Sequence, residues 1–270
     1  MDSNVVLVTG STDGIGKYTA LELARKGANV LLHGRSVAKT EATLEEICRK
    51  TGSNRLETYI ADLSSQEQIR RLSREIHQKH EWLHVLINNA GVFMPDRQLT
   101  SDGLETTFAV NYLAPFLLTR LLLDLLREGA PSRVINISSE VHRKAVIDWN
   151  NLQGEKGYDG YAAYALSKLA VTLFTYELAR RFRDVGITAN CLHPGIINTK
   201  LLRTCWKDDA AEDVSKGAET PVYLATSADI ADVTGKYFSD KRPSRSSPLT
   251  YNRKLQQKFW QLGERLTQAV

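Results

Sequence analysis

The chain has 270 residues, 42% of them hydrophobic, and a formal charge of only +4. That is enough apolar material for one large buried core, and too small a charge to imply a nucleic-acid partner. Three cysteines, Cys48, Cys191 and Cys205, form no C-x-x-C pair, which argues against a disulfide framework or a cysteine zinc site and for a reducing compartment.

No linker, repeat or low-complexity stretch divides residues 1–270, so one domain is expected. The first residues read straight into a strand, so no leader sequence is expected. The longest apolar stretch, 112–126, is broken by Pro115, Arg120 and Asp124 and falls short of the ~20 residues that span a bilayer. A soluble, cytoplasmic protein is expected. Residues 236–270 carry eight Lys/Arg against Asp240 and Glu264; such a basic tail can touch anionic lipid or nucleic acid, but it is usually solvated surface, and no nucleic-acid partner and at most weak peripheral membrane contact are expected.

Val5-Val6-Leu7-Val8 reads as a central strand covered on both faces. It enters Thr9-Gly10-Ser11-Thr12-Asp13-Gly14-Ile15-Gly16, where Gly10 permits a tight turn, Gly14 a close approach of backbone to phosphate, and Gly16 close packing of the next helix. The N-terminal end of that helix, over 15–26, makes an anion site. The spacing is G-x-x-x-G-x-G, unlike the general dinucleotide fingerprint, and alone it is weak. The next strand, 29–34, ends at Arg35, where many NAD-binding folds carry an acidic residue. Arg35, with Lys17 nearby, can meet a 2′-phosphate, which favours NADP(H); the two can also be ordinary surface cations.

A helix over 38–50 and a strand over 56–60 lead to Asp62, which can accept from an adenine amino group or cap the helix over 66–79. His77, His80 and His84 lack a completing ligand set, so no metal is expected. Another buried strand over 83–87 ends in Asn88-Asn89-Ala90-Gly91, small enough for a cofactor to lie over and with amides to pin neighbouring strands. Phe93 and Met94 can flank a substrate. A long helix follows over 112–127, and Asn111 at its edge, if buried, must be paired or must bend the helix. The strand over 133–137 ends in Ser138-Ser139, whose side chains alternation sends to opposite faces.

The segment 140–160, with His142, Trp149 and Tyr158, is long enough for a lid or pocket wall. In the helix that runs to Arg183, Tyr164 and Lys168 stand four apart and therefore on one face. A cation beside a phenol favours the phenolate and draws its pKa from ~10 toward neutrality, as a general acid/base needs. The last parallel strand, 187–192, ends in His193-Pro194-Gly195, and 196–206 can cover a ligand, with Ile196, Leu201, Leu202 and Trp206 as pocket wall and Thr199 as a hydrogen-bonding group. A helix over 211–225 and a short strand at Tyr237-Phe238 follow. Leu255, Phe259, Leu262 and Leu266 form a helical stripe in the 251–268 tail, read as core or interface.

Taken together, Thr9-Gly10-(x3)-Gly14-Ile15-Gly16, Asn88-Asn89-Ala90-Gly91, Asn111, Ser139, Tyr164-(x3)-Lys168 and Pro194-Gly195, in this order over nearly the whole chain, resemble the short-chain dehydrogenase/reductase family. More narrowly, Gly14-Ile15-Gly16-Lys17, Arg35, the insert after Ser139 and Thr220-Pro221-Val222-Tyr223-Leu224-Ala225 are similar to its retinol-dehydrogenase-like subgroup, mostly NADP(H)-dependent, although the N-terminal membrane anchor common there is not expected here. The resemblance implies an α/β fold: a Rossmann-type doubly wound parallel sheet of about seven strands, order 3-2-1-4-5-6-7, with helices on both faces and covering segments near 140–160 and 196–215.

It also implies NADP(H)-dependent hydride transfer to or from a carbonyl or alcohol, with Asn111, Ser139, Tyr164 and Lys168 as the catalytic set. The implied cofactor contacts are Gly10, Ser11, Thr12, Asp13, Gly14, Ile15, Gly16 and Lys17; Arg35, Asp62 and Leu63; Asn89, Ala90 and Gly91; Tyr164 and Lys168; Pro194, Gly195, Ile197 and Thr199. Helices over 112–127 and 161–183 resemble the family's dimer surface, so a homodimer is expected. The alternative on the same fold is a catalytically idle dinucleotide sensor or scaffold, which the filled catalytic positions disfavour.

Overall fold

The computed structural model describes residues 4–205 and 211–268. Its elements, in order, are β1 (Val5–Val8), α1 (Gly14–Arg25), β2 (Asn29–Gly34), α2 (Val37–Thr51), β3 (Leu56–Ile60), α3 (Gln66–His77) and β4 (Val85–Asn88). A single turn α4 (Thr106–Phe108), a π-helical stretch (Ala109–Leu113), α5 (Ala114–Leu121) and α6 (Leu123–Glu128) lead to β5 (Ser132–Ile137). Then come α7 (Gly160–Phe182), β6 (Ile187–His193), α8 (Lys200–Cys205), α9 (Val214–Thr226), β7 (Tyr237–Ser239), β8 (Arg242–Ser244) and α10 (Arg253–Thr267).

Eight strands form one sheet in the order β3-β2-β1-β4-β5-β6-β7-β8. The first seven are parallel, as the continuous apolar runs require, because strands buried on both faces need no polar alternation. Val5 and Leu7 face a core shared with α3, α5, α7 and α10, whereas Val6 and Val8 face a second one shared with α1, α2 and α9. β8 adds an antiparallel edge beyond the expected seven. Its turn places Asp240 and Lys241 at φ 48° and 61°, the twist a two-residue hairpin needs, and Pro243 is tolerated because the strand is an exposed edge.

The helix expected over 112–127 is instead three pieces. Its π-helical stretch is centred on Asn111, which is 2% exposed. Of the two outcomes open to a buried amide here, the structure combines both: Asn111 is paired and the helix is distorted around it.

Helix α10 packs on α5 and α7. Phe259, Trp260 and Leu262 are buried, with Leu255 and Leu266 partly so, in the core that α5 and α7 share. Trp260 meets Phe116, Phe174 and Phe182 edge-on or tilted at 5.2–6.3 Å. The chain's own C-terminal helix thus packs on the two helices expected to form a dimer surface, and the apolar stripe is core. Among the described residues, no helix is long and apolar enough to cross a membrane.

Candidate active site

A cleft of about 1560 Å³ opens along the C-terminal ends of β1 to β6, over the point where strand order reverses between β1 and β4, which is where open α/β sheets gather ligands. Gly10 turns the chain at φ +64° and Gly14 at φ +55°. At Gly16 a Cβ would lie 2.3 Å from both Gly10 O and Asn89 Nδ2, so only glycine lets α1 start this close to the loop. Asp13 caps α1 by accepting from Gly14 N–H at 2.8 Å.

Gly10, Thr12, Asp13, Gly14, Ile15, Gly16 and Lys17 all line the cleft. Ser11 does not. Its side chain is fully buried and fastens the loop to β2, with Ser11 Oγ accepting from His33 N–H at 2.9 Å. The side chain of Ser11, one of the expected cofactor contacts, therefore turns to β2 and not into the cleft, a direction that loop position alone does not give.

At the adenosine end, Arg35, Asp62 and Leu63 line the cleft. Asp62 Oδ1 accepts from Ser64 N–H at 2.9 Å and Ser64 Oγ at 2.7 Å, while Ser65 caps α3. Lys17 is ion-paired to Glu46 of α2, which also pairs with Lys50 at 2.7 Å. These two lysines hold the Glu46 carboxyl below its usual range. Glu46 was not singled out from sequence, since nothing in an ordinary helical glutamate signals a partner some thirty residues away.

Asn89, Ala90 and Gly91 form the floor. Asn88 Nδ2 donates to Asn136 Oδ1 at 2.8 Å and Asn89 Nδ2 to Thr9 O at 2.8 Å, so the two amides do pin neighbouring strands. Asn111 lies behind this floor. Its Oδ1 accepts from Val92 N–H at 2.8 Å, and its Nδ2 donates to Val92 O at 2.9 Å and Ser167 Oγ at 3.0 Å. A Cβ on Gly91 would lie 3.4 Å from Asn111 Oδ1 and 3.5 Å from Lys168 Nζ, so the two side chains flank one point.

Tyr164, Lys168 and Ser139 share the inner end of the cleft. Lys168 Nζ sits 5.5 Å from the Tyr164 ring centre and donates to Ile137 O at 2.9 Å. Burial of Lys168 pulls its pKa down to about 8, as removal of an ammonium from water must. Ser138 points away, into α7, against Lys168 O at 3.1 Å and Thr172 Oγ1 at 2.8 Å. Strand alternation thus leaves Ser139 facing the cleft.

Pro194, Gly195, Ile197 and Thr199 close the far wall. A strand-like bridge between Ile197 and Glu212 holds this segment, and Lys200 reaches back to Asp13 at 2.6 Å across the cleft mouth. Met94, Ile196, Leu201 and Leu202 also line the cavity, whereas Phe93 stands behind, edge-on to Tyr164 at 6.0 Å. Trp206, with the rest of 206–210 in the expected cover, lies outside the described residues.

Of the segment 140–160, only Glu140 and Val141 line the cleft. Trp149 packs on Phe259 at 5.4 Å under Lys258, and Tyr158 donates to Met94 O at 2.9 Å. Its middle therefore braces α10 and does not wall the pocket. The three histidines have separate partners: His77 with Asp124, His80 with Glu57, and His84 Nδ1 accepting from Val5 N–H.

The donor set fits a dinucleotide: a helix start beneath a glycine loop for the pyrophosphate, small residues under the ring, and cations at the ribose end. A family model for short chain dehydrogenases matches residues 4–210. The mouse protein retinol dehydrogenase 12 is 41% identical over 96% of this chain and 84% of its own length. Human polyprenol dehydrogenase is 40% identical over 95% and 82%. Among solved structures, a putative uncharacterized protein from Mycobacterium paratuberculosis superposes with TM-score 0.83 at 30% identity, covering 99% of this chain and 94% of that one. The NADP complex of RhlG from Pseudomonas aeruginosa gives 0.73 at 26%, covering 88% and 94%. The chain belongs to the short-chain dehydrogenase family, among oxidoreductases related to the retinol and polyprenol dehydrogenases.

Proposed function

We propose that this protein is an NADP(H)-dependent oxidoreductase that interconverts a carbonyl and an alcohol on a largely apolar small molecule. The observation that carries the reading is the shared position of Tyr164, Lys168 and Ser139 at the inner end of one cleft. A bound nicotinamide supplies hydride in the reducing direction and accepts it in the other.

In reduction, the Tyr164 hydroxyl gives its proton to the carbonyl oxygen while Ser139 Oγ donates a hydrogen bond to the same atom and fixes its orientation. Lys168 spends one N–H on Ile137 O, which leaves two donors for the phenol and the nicotinamide ribose. Its charge favours the phenolate that remains once the proton has left. Asn111 holds Val92 and the floor beside Lys168. Arg35 and Lys17 meet the 2′-phosphate, a role that requires Lys17 to share or release Glu46. Cofactor choice of this kind is supported by the NADP in the RhlG complex. An apolar substrate is supported by Met94, Ile196, Leu201 and Leu202 in the cavity wall and by relatives named for retinol and polyprenol.

The deciding experiment is Tyr164→Phe, assayed by NADPH oxidation against a panel of apolar aldehydes and ketones. Turnover should fall by roughly 10²–10⁴-fold, the usual worth of a positioned acid/base, with NADPH binding retained. Undiminished turnover refutes the assignment, and NADPH binding by the wild type without turnover of any compound points to a sensor.

A further inference from the structure

His33, next to last in β2, is 3% exposed in a strand otherwise filled by Val30, Leu31 and Leu32. Its Nδ1 accepts from Gly10 N–H at 3.1 Å, and its Nε2 lies 3.1 Å from Ala61 O. A carbonyl oxygen can only accept, so Nε2 carries the proton and Nδ1 is bare, which defines one neutral tautomer. Burial pushes the ring pKa down to about 4, so this tautomer persists at neutral pH. The backbone of residue 33 grips the same loop, for Ser11 N–H donates to His33 O at 2.9 Å and His33 N–H to Ser11 Oγ at 2.9 Å.

One imidazole thus ties the end of β1 and the end of β3 together across β2. The Gly10 N–H is spent on His33, so a bound anion is met by the N–H groups at the start of α1. The Gly10 carbonyl lies so close to Gly16 that a Cβ there would be 2.3 Å from it. Any rotation of the Gly10 peptide therefore presses on the first turn of α1.

Resting on the reading that this cleft takes a nicotinamide dinucleotide, we propose that His33 is a positioning residue for the cofactor. It fixes the Gly10 peptide, and through it the start of α1, in the orientation that receives the pyrophosphate. An apolar residue at 33 would satisfy the core but leave the Gly10 N–H without an acceptor, free to swing toward water and loosen the loop.

Three variants separate this role from simple packing. His33→Asn keeps an acceptor close to the place of Nδ1, His33→Gln keeps a donor near the place of Nε2, and His33→Ala keeps neither. NADPH dissociation constants from fluorescence titration, and KM and kcat, are compared with apo-protein melting temperatures. NADPH affinity should fall about tenfold in the Ala and Gln variants, the worth of one lost buried hydrogen bond, and less than about threefold in Asn. The loss should appear in KM for NADPH and not in kcat. Wild-type affinity in the Ala and Gln variants alongside a lowered melting temperature overturns the proposal and leaves the dinucleotide reading standing, as does a Gln variant that binds better than Asn. Failure of the wild type to bind either NADPH or NADH overturns both.

Discussion

Lys168 Nζ stands 5.5 Å from the centre of the Tyr164 ring while donating to Ile137 O at the end of β5. The i, i+4 spacing put both residues on one face, and the strand end then holds the ammonium where the phenol can feel it. Burial costs this charge free energy, and the cost can be read from stability. The Lys168 pKa falls from 10.5 to about 8. Below pH 8 both folded and unfolded chains hold the proton, and the penalty is felt in full. Between about 8 and 10.5 the unfolded chain binds more protons, so this lysine makes stability rise with pH. Lys168→Met should remove that rise, seen as a smaller difference in urea-unfolding free energy between pH 7.5 and 9.5 than in the wild type. An unchanged difference would show that the buried ammonium is not the source.

Asn111 links the π-helical stretch to the floor of the cleft. Asn111→Leu leaves the half-buried Val92 N–H and Val92 O without their partner, at a cost of roughly 1 kcal/mol for each hydrogen bond lost. It also releases the wall beside Gly91 and Lys168. Both melting temperature and kcat should fall, with kcat falling further than in a surface control such as Glu155→Gln. A variant of full activity and reduced stability would confine Asn111 to a packing role.

Parallel strands were legible because each is an unbroken apolar run ended by small or polar residues, and the Tyr164/Lys168 pair because helical spacing is local. Asn111 was legible as a problem, a buried amide that had to be paired or bend its helix, though not as the π-helical stretch that solves it. What could not be read was direction and distance: that Ser11 turns inward to His33, that Lys17 meets Glu46, and that Trp260 lies against Phe116 and Phe174. The one faint signal for His33 was a lone polar side chain in the apolar run of β2. Contacts between residues far apart in sequence depend on how elements dock, which local periodicity does not encode.

Arg35 lines the adenosine end of the cleft and makes no ion pair among the described residues. If it meets the 2′-phosphate, Arg35→Asp exchanges an attraction for a repulsion. NADPH affinity should drop roughly 10- to 100-fold, from about 1.5–3 kcal/mol per charged hydrogen bond, while NADH affinity holds or improves. Titration of both cofactors on both proteins decides it, and an unchanged NADPH/NADH ratio rejects this role. Glu46→Gln should move the ratio the other way, because Lys17 would no longer be shared with a carboxylate.

Trp260 anchors α10 to the body. Its ring is fully buried among Phe116, Phe174 and Phe182, with the Arg181 and Arg120 guanidinium groups 4.4 and 5.4 Å from its centre and its Nε1–H on Glu264 Oε1 at 2.7 Å. Trp260→Ala should cost about 3–5 kcal/mol, the range for emptying a large aromatic site. Because α10 covers faces of α5 and α7 rich in aromatic side chains, loosening it also exposes an apolar patch of the kind that drives association. Light scattering at increasing concentration should therefore find Trp260→Ala more associated than the wild type, alongside a lower urea midpoint. A variant as stable and no more associated than the parent would mean that α10 neither braces the fold nor covers that surface.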